Sequence, residues 1–253
     1  MLVFVIPLKS PKVSTSWNLV AKLFERTLKS ICNQTSPAFR VIVVCNEKPT
    51  IEFSHPHITY IEVDFPVPSP DLNGKRLDKA QKSLVGLMHA KELQASHTML
   101  VDADDCVSKQ LAEFVNQNYQ ANGWYINQGY VYKEGGKLIY HKKNAFNKSC
   151  GTCRIIRYDL NDLPEKNEYA SQALLDYVIN HKKTETVNAS LLEPLPFEGA
   201  VYTIGNKENI FQKNFDTLFP TKKAIHQRLE YALNFRFVNK AIREEFSLYN
   251  IKI

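Results

Sequence analysis

Apolar residues along the first hundred positions follow two spacings, one typical of strands and one typical of helices. Short apolar runs bounded by polar residues predict buried strands at 2–8, 39–45, 58–63 and 98–101. Apolar residues spaced three and four apart predict one helix that follows the capping residues 14–16 and stops near 33, and a second helix over 77–95. Because strands alternate with helices, we predict an α/β fold with a mainly parallel sheet flanked by helices.

After residue 105 the predicted elements become shorter. They are a helix from its cap Ser108 to 119, strands at 124–132 and 137–140 around a Glu134-Gly135-Gly136 hairpin, a strand at 154–158 and a helix at 168–180. Apolar residues at helical spacing from Ile225 to Tyr249 predict a C-terminal helical extension. The two halves look interdigitated, so we predict a single domain over 1–253.

The composition is that of an ordinary globular protein, with 253 residues of which 44% are hydrophobic and 23% are charged. No apolar run approaches about 18 residues, so the sequence predicts no membrane span. The apolar start at 2–8 is too short for a signal peptide and is interrupted by Pro7. We therefore expect a cytoplasmic protein, with the inner membrane surface as the alternative location.

The formal net charge of +6 is compatible with anionic small substrates, acidic membrane surfaces or nucleic acid. Nucleic acid is not expected, because only 222–243 approaches a cluster of Lys and Arg with aromatic residues. The five cysteines include the pair Cys150-Gly151-Thr152-Cys153, which has the spacing of a redox or zinc site. Because no second pair of this kind follows, we expect reduced thiols that lead into a strand.

Three carboxylates, Asp102, Asp104 and Asp105, directly follow the predicted strand at 98–101. Ligands of an open parallel sheet bind beyond the carboxyl ends of its strands. Alternate residues of an extended segment share a face, so Asp102 and Asp104 can point the same way. Their oxygens suit Mg²⁺ or Mn²⁺, which take one or two protein carboxylates together with substrate phosphates. In the alternative interpretation, Asp104 or Asp105 only caps the next helix.

The segment 101–105, Val-Asp-Ala-Asp-Asp, resembles the DxD motif of nucleotide-sugar glycosyltransferases of GT-A fold, especially glycosyltransferase family 2. The segment 79–90 is similar to a helix of that family that begins with Lys-Ala, continues with Gly-Leu and closes with Ala. The segments 4–7, 30–34 and 41–45 resemble the family's first strand, first helix end and second strand. The resemblance covers about residues 3–105.

This resemblance implies transfer of a sugar from a nucleotide diphosphate donor, a UDP-sugar, to a hydroxyl group of a glycan or lipid-linked acceptor. It assigns the donor to 1–105 and the acceptor to 106–210, with 211–253 as the C-terminal extension. A Mn²⁺ or Mg²⁺ ion would be held by Asp102, Asp104 and Asp105. Glu168 falls on the position of the family's general base. The residues that the resemblance assigns to the donor are Pro7, Asn46, Glu47, Lys79, Asp102 and Ala103.

Two segments depart from the family pattern. Cys45-Asn46-Glu47-Lys48 stands where an acid usually meets the nucleobase, so Asn46 or Glu47 would have to make that contact. The segment 201–210 lacks the family's histidine and supplies no predicted metal ligand. A non-catalytic carbohydrate-binding or scaffold protein with a GT-A-like core is therefore an open alternative. The apolar stripe at 225–249 also has two interpretations, packing on the core or a peripheral membrane contact.

Overall fold

The computed structural model describes residues 1–161, 163, 185–210 and 231–251. The predicted helix at 168–180 lies outside them. The described helices are α1 (Trp17–Cys32), α2 (Leu72–Glu92), α3 (Leu111–Gln117) and α4 (Lys240–Phe246). The described strands are β1 (Leu2–Pro7), β2 (Phe39–Cys45), β3 (Ile58–Glu62), β4 (His97–Leu100), β5 (Cys106–Val107), β6 (Gly123–Tyr125), β7 (Gly129–Lys133), β8 (Leu138–Lys142), β9 (Arg154–Arg157), β10 (Thr186–Val187), β11 (Ser190–Leu191), β12 (Glu193–Pro194), β13 (Ala200–Ile204) and β14 (Phe235–Phe237).

The first sheet contains the parallel strands that the sequence predicts. Its strand order is β12-β6-β9-β4-β1-β2-β3, and of these seven strands β9 runs against the others. Every residue of β1 is buried, and alternate side chains enter two apolar clusters, one with Phe24 of α1 and one with Val85 of α2. Gly86 lets α2 approach closely, because a Cβ atom there would collide with Val5. Helices thus cover both faces, and the predicted α/β fold with a mainly parallel sheet flanked by helices is confirmed.

Capping residues set the starts of the two long helices. Ser16 accepts a hydrogen bond of 3.3 Å from the backbone N–H of Leu19 at the start of α1, as the sequence predicts. Asp71 accepts the backbone N–H of Gly74 at 2.8 Å at the start of α2. Because this aspartate follows directly after the proline-rich loop, α2 begins earlier than position 77, where the apolar pattern placed its start.

The second sheet has the order β14-β8-β7-β13-β5 and follows the acidic turn in the chain. The predicted strand over 124–132 is divided, since β6 joins the first sheet and β7 joins the second. The predicted hairpin between β7 and β8 is confirmed. Gly135 adopts φ +75°, a left-handed conformation that favours glycine, and Gly136 donates its N–H to the carbonyl of Lys133 at 2.8 Å.

The apolar stripe at the C-terminus does not form one continuous helix. Its residues 235–237 form β14, which pairs antiparallel with β8 and satisfies the backbone groups along that edge. Helix α4 begins afterwards, and its buried Ile242 and Phe246 share an apolar cluster with Tyr130 of β7 and Ile139 of β8. Phe235, Ile242 and Phe246 of the stripe therefore pack on the core, whereas Ala232 is exposed. The part of the stripe before 231 lies outside the described residues. No helix in the described part of the chain combines the length and apolar character needed to cross a membrane.

Candidate active site

The carboxyl ends of three parallel strands meet at one edge of the first sheet. Pro7 ends β1, Asn46 and Glu47 follow β2, and Asp102 and Ala103 follow β4. The register of β1 against β2 and β4 places these strand ends side by side. The structure therefore brings the residues that the sequence assigns to a donor to the same edge of the sheet.

Asn46 and Glu47 differ in their surroundings. The Asn46 amide donates hydrogen bonds to the carbonyls of Val63 at 3.2 Å and Phe65 at 3.1 Å, whereas Glu47 is exposed. Asn46 Oδ1 is buried and has no hydrogen-bond partner among the described residues. A buried acceptor of this kind is normally paired, so the Oδ1 atom of Asn46 is an exception among the described residues.

Asp102 is paired with Lys79 of α2, whose ammonium forms an ion pair with Asp102 Oδ1. Burial is the largest single influence and lowers the pKa of Lys79, but the charge and hydrogen bond of Asp102 together with the charge of Asp105 outweigh it. The pKa is therefore raised and the ammonium stays charged. Gly151 leaves space for the pair, because a Cβ atom there would lie 2.7 Å from Asp102 Oδ2 and 3.2 Å from Lys79 Nζ. A fixed positive charge therefore lies beside the first carboxylate of the turn.

Asp104 is half-buried and held by two asparagine side chains from the loop after β13. Asn206 and Asn209 each donate an amide N–H to Asp104 Oδ2 at 2.8 Å. Burial, and next the charge of Asp102, raise the pKa of Asp104 to about 6, while the Asn206 hydrogen bond acts in the opposite direction. Two neutral donors thus stabilise a carboxylate that its surroundings otherwise disfavour in the charged form.

Asp105 points into the protein interior and is fully buried. Its carboxylate accepts hydrogen bonds from the hydroxyl of Thr152 at 2.6 Å, the backbone N–H of Thr203 at 3.0 Å and the thiol of Cys150 at 3.2 Å. Burial, and then the nearby carboxylates, raise the pKa of Asp105 well above its usual range. Burial likewise raises the pKa of the Cys150 thiol, which keeps its proton and its role as a donor. The carboxylate of Asp105 therefore forms its hydrogen bonds within the protein interior.

Glu208 joins the loop after β13 to the loop after β1. Its carboxylate is ion-paired with Lys9 and accepts the backbone N–H of Ser16, the cap of α1, at 2.7 Å. Lys9 also donates to the backbone carbonyl of Glu208 at 3.0 Å. Asn206 Oδ1 accepts the backbone N–H groups of Glu208 at 2.9 Å and Asn209 at 3.0 Å, which shapes the turn. The loop that holds Asp104 is therefore anchored to the first half of the chain.

Of the three predicted metal ligands, Asp102 and Asp104 are the two on which the binding of a divalent cation would depend. Within the described ranges there is no group of three or more His, Cys, Asp or Glu side chains that could hold a metal ion. Asp102 and Asp104 nevertheless supply hard oxygen donors at the sheet edge, and Mg²⁺ or Mn²⁺ takes one or two carboxylates together with substrate phosphates. Asn209 Oδ1 is a further buried oxygen that no described residue pairs. These residues fit a cation that binds together with a diphosphate.

Some functional candidates were missed in the sequence, and one is not described in the structure. Thr152 was overlooked because the spacing of the flanking cysteines drew the interpretation to the thiols, which are free and buried. Asn206 and Asn209 lie in the segment 201–210, which lacks the family's histidine. The available signal in the sequence was two amide side chains three positions apart, shortly after a buried strand. Glu168 lies outside the described residues, so its role as base stays a prediction.

A scan against protein families and a search of curated proteins found no match. Among solved structures, S. aureus TarS 1-349 resembles this chain with a TM-score of 0.45 and 13% identity over 80% of this chain and 60% of that chain. The same TarS segment in complex with UDP gives a TM-score of 0.48 and 14% identity over 81% and 60%. Francisella tularensis 2-C-methyl-D-erythritol 4-phosphate cytidylyltransferase gives a TM-score of 0.37 and 13% identity over 92% and 98%.

TarS is a glycosyltransferase of GT-A type. The chain spans 60% of the length of these TarS structures. At these identities and TM-scores the likeness carries no argument about this chain, and its chemistry has to be argued from its own residues.

Proposed function

We propose that this chain is a metal-dependent glycosyltransferase that moves a sugar from a UDP-sugar to a hydroxyl group of a glycan or lipid-linked acceptor. The observation that carries the proposal is the ion pair of Lys79 with Asp102, next to Asp104, at the carboxyl edge of a parallel sheet. Ligands of α/β sheets bind at that edge. Charges of both signs placed there suit a diphosphate and the cation that accompanies it.

Asp102 and Asp104 are the residues that would hold Mn²⁺ or Mg²⁺. Such an ion, when bound, supplies Lewis-acid stabilisation of the negative charge on the departing diphosphate. Lys79 adds a positive charge at the same edge, because its ammonium already contacts Asp102. Asn206 and Asn209 keep Asp104 in place, which lowers the reorganisation that binding requires.

Asn46 is the residue that we assign to the nucleobase. Both of its amide hydrogens are used by the carbonyls of Val63 and Phe65, so the buried Oδ1 atom is the group that remains for a ligand. An acceptor at this position favours a base edge that donates an N–H, such as the N3–H of uracil. Glu47 is exposed and is the weaker candidate.

The acceptor half contributes the proton transfer. Glu168 would accept the proton of the attacking hydroxyl, and the resemblance of its surrounding sequence to the family motif is the support for this role. A free glutamate has a pKa of about 4.3, so burial or a neighbouring carboxylate would have to raise its basicity.

A thermal-shift panel tests the donor site. UDP and a UDP-sugar should stabilise the protein in Mn²⁺, by about 2.7 kcal/mol at a hundred times the dissociation constant. CDP, whose cytosine has no ring N3–H to donate to Asn46, should stabilise it less, and chelator should remove the effect. Asp104→Asn should lose the metal-dependent part, whereas Asp159→Asn, at an exposed position near the end of β4 opposite the turn, should retain it. Equal stabilisation by UDP in chelator and in Mn²⁺ would refute metal dependence.

Turnover separates the enzyme from the alternative of a non-catalytic carbohydrate-binding or scaffold protein. A UDP-sugar incubated with the protein, Mn²⁺ and a panel of glycan and lipid-linked acceptors should release UDP in step with glycosylated product. Donor binding without release of UDP for any acceptor would favour the scaffold.

A further inference from the structure

The segment 150–153 packs directly behind the acidic turn. Its two cysteines are buried and free, and their spacing first draws attention to thiol chemistry. The contacts of the segment point to another role. Thr152 is hydrogen-bonded to the backbone of Asp102, and Gly151 lies next to the carboxylate of Asp102.

The hydroxyl of Thr152 connects two of the three aspartates. It accepts the backbone N–H of Asp102 at 2.9 Å and donates its proton to Asp105 Oδ2 at 2.6 Å. A hydroxyl carries one proton and two lone pairs, so it can make both bonds at once. Thr152 is fully buried, so both bonds are shielded from bulk solvent. One atom thus fixes the backbone at the start of the turn and the carboxylate at its end.

Asp105 extends this connection to the other side of Asp104. Its second oxygen accepts the backbone N–H of Thr203 in β13 at 3.0 Å. The loop that directly follows β13 carries Asn206 and Asn209, which hold Asp104, and Asn209 also donates to the carbonyl of Thr203 at 2.9 Å. The position of Asp104 relative to Asp102 is therefore set by a continuous series of hydrogen bonds that passes through Thr152 and Asp105.

We propose that Thr152 is a positioning residue that aligns Asp102 and Asp104 for a cation and a nucleotide diphosphate, and that Gly151 keeps open the space in which Asp102 meets Lys79. The inference rests on the proposed function and assigns its preorganisation to the segment 150–153. Groups that orient metal ligands in this way influence metal affinity even though they do not touch the metal.

The experiment compares variants that remove the hydroxyl with variants that keep it. Thr152→Val has nearly the same shape without the hydroxyl, and Thr152→Ser keeps the hydroxyl. Thr27→Val is the matched control, because Thr27 is also fully buried and donates its hydroxyl to the carbonyl of Leu23 at 3.2 Å, inside α1. The dissociation constant of UDP is measured by calorimetry in Mn²⁺ and in chelator, and thermal unfolding is recorded for each variant.

We expect the variants to separate effects on UDP affinity from effects on thermal stability. Thr152→Val should weaken Mn²⁺-dependent UDP binding about tenfold or more, while Thr152→Ser should remain within about threefold of the unmodified protein. Thr27→Val should lose stability without loss of affinity. Gly151→Ala should also weaken binding, because its Cβ atom would displace the Asp102 carboxylate. Thr152→Ala serves in place of Thr152→Val if the valine does not fold.

The outcomes separate this inference from the proposed function. Absence of UDP binding by the unmodified protein would overturn both. Normal Mn²⁺-dependent binding by the folded variant without the hydroxyl, or equally weak binding by Thr152→Ser, would overturn the role of Thr152 alone. Normal binding by Gly151→Ala would overturn the role of Gly151.

Discussion

Asn206 donates a hydrogen bond of 2.8 Å from its side-chain amide to the carboxylate of Asp104, although 102 positions separate the two residues in the chain. Asn209 donates a second hydrogen bond of 2.8 Å to the same oxygen. Asp102 is held separately, by Lys79 of α2. The carboxylates of the turn are thus stabilised by different parts of the fold, which keeps like charges in fixed positions close to one another.

Asn206→Ala should destabilise the protein and make Asp104 harder to ionise. Loss of a buried hydrogen-bonding side chain that also shapes the turn should cost about 1–3 kcal/mol of unfolding free energy. Because the amide bonds to the charged form of Asp104, its removal should raise the pKa of that carboxyl above its value of about 6. Urea unfolding and NMR titration of the aspartate carboxyl carbons measure the two effects.

Asn118→Ala is the control for this prediction, because Asn118 is exposed and its amide donates only to the carbonyl of Phe114 within its own helix end. It should change neither the pKa of Asp104 nor the stability by more than about 0.5 kcal/mol. An unchanged Asp104 titration in Asn206→Ala would contradict the assigned hydrogen bond.

His97 should make the stability fall in mild acid. It is fully buried, its Nε2 atom lies 3.0 Å from the carbonyl of Ala121, and burial lowers its pKa below the ordinary value of 6.5. In mild acid the unfolded chain therefore binds a proton at His97 more readily than the folded protein does. The stabilising contribution is complete above pH 6.5 and is lost as the pH falls from 6.5 through the lowered pKa of the folded state.

The test is the unfolding free energy of the unmodified protein and of His97→Gln between pH 7.5 and pH 5. The slope of stability against pH should be smaller in His97→Gln by up to about 1.4 kcal/mol per pH unit, which corresponds to one proton. UDP binding at pH 7.5 should be equal in the two proteins, because His97 begins β4 at the edge opposite the acidic turn. Parallel pH profiles would show that His97 is not the group that titrates.

Glu168→Gln should abolish most of the transfer without loss of donor binding. The substitution keeps the shape of the side chain and removes its basicity, so turnover should fall by about a hundredfold or more. Glu185→Gln, at an exposed position of the same half, is the matched control and should keep full turnover. Normal transfer by Glu168→Gln would move the assignment of the base to Asp162 or Asp176.

Arg26 and Glu134 should be coupled in stability. Their side chains are fully buried and form two parallel hydrogen bonds of 2.7 Å and 3.1 Å. The same pair holds the C-terminal segment, since Arg26 donates to the carbonyl of Tyr249 at 2.9 Å and Glu134 accepts the N–H of Ile251 at 3.1 Å. Arg26→Met leaves a buried carboxylate without its cation and should cost about 3–5 kcal/mol.

A double-mutant cycle measures this coupling. Arg26→Met with Glu134→Leu should cost less than the sum of the two single substitutions, because the double variant buries no unpaired charge. Additivity within about 0.5 kcal/mol would show that the two side chains act independently.

The sequence predicted the elements whose causes are local. Strands β1 to β4 and helices α1 and α2 follow from apolar spacing and from capping residues such as Ser16, and both signals lie within a few positions of the element that they define. Parallel strands have their carboxyl ends at one edge, which indicated a ligand site at Asp102, and the family resemblance assigned Asn46 and Pro7 to the same donor site. The hairpin at 134–136 was predicted for the same reason, since its glycines supply the turn.

Only the tertiary structure decided what each carboxylate of the turn does and how the C-terminal stripe divides. Asp105 turns inward because Thr152 and Thr203 offer buried donors, and Asp104 stays at the edge because Asn206 and Asn209 reach it from a distant loop. The residues 235–237 have helical apolar spacing but become a strand because β8 offers an open edge. The spacing of apolar residues reflects only local structure. It does not report burial or hydrogen bonds that depend on remote parts of the chain, so these effects are seen only in the assembled tertiary structure.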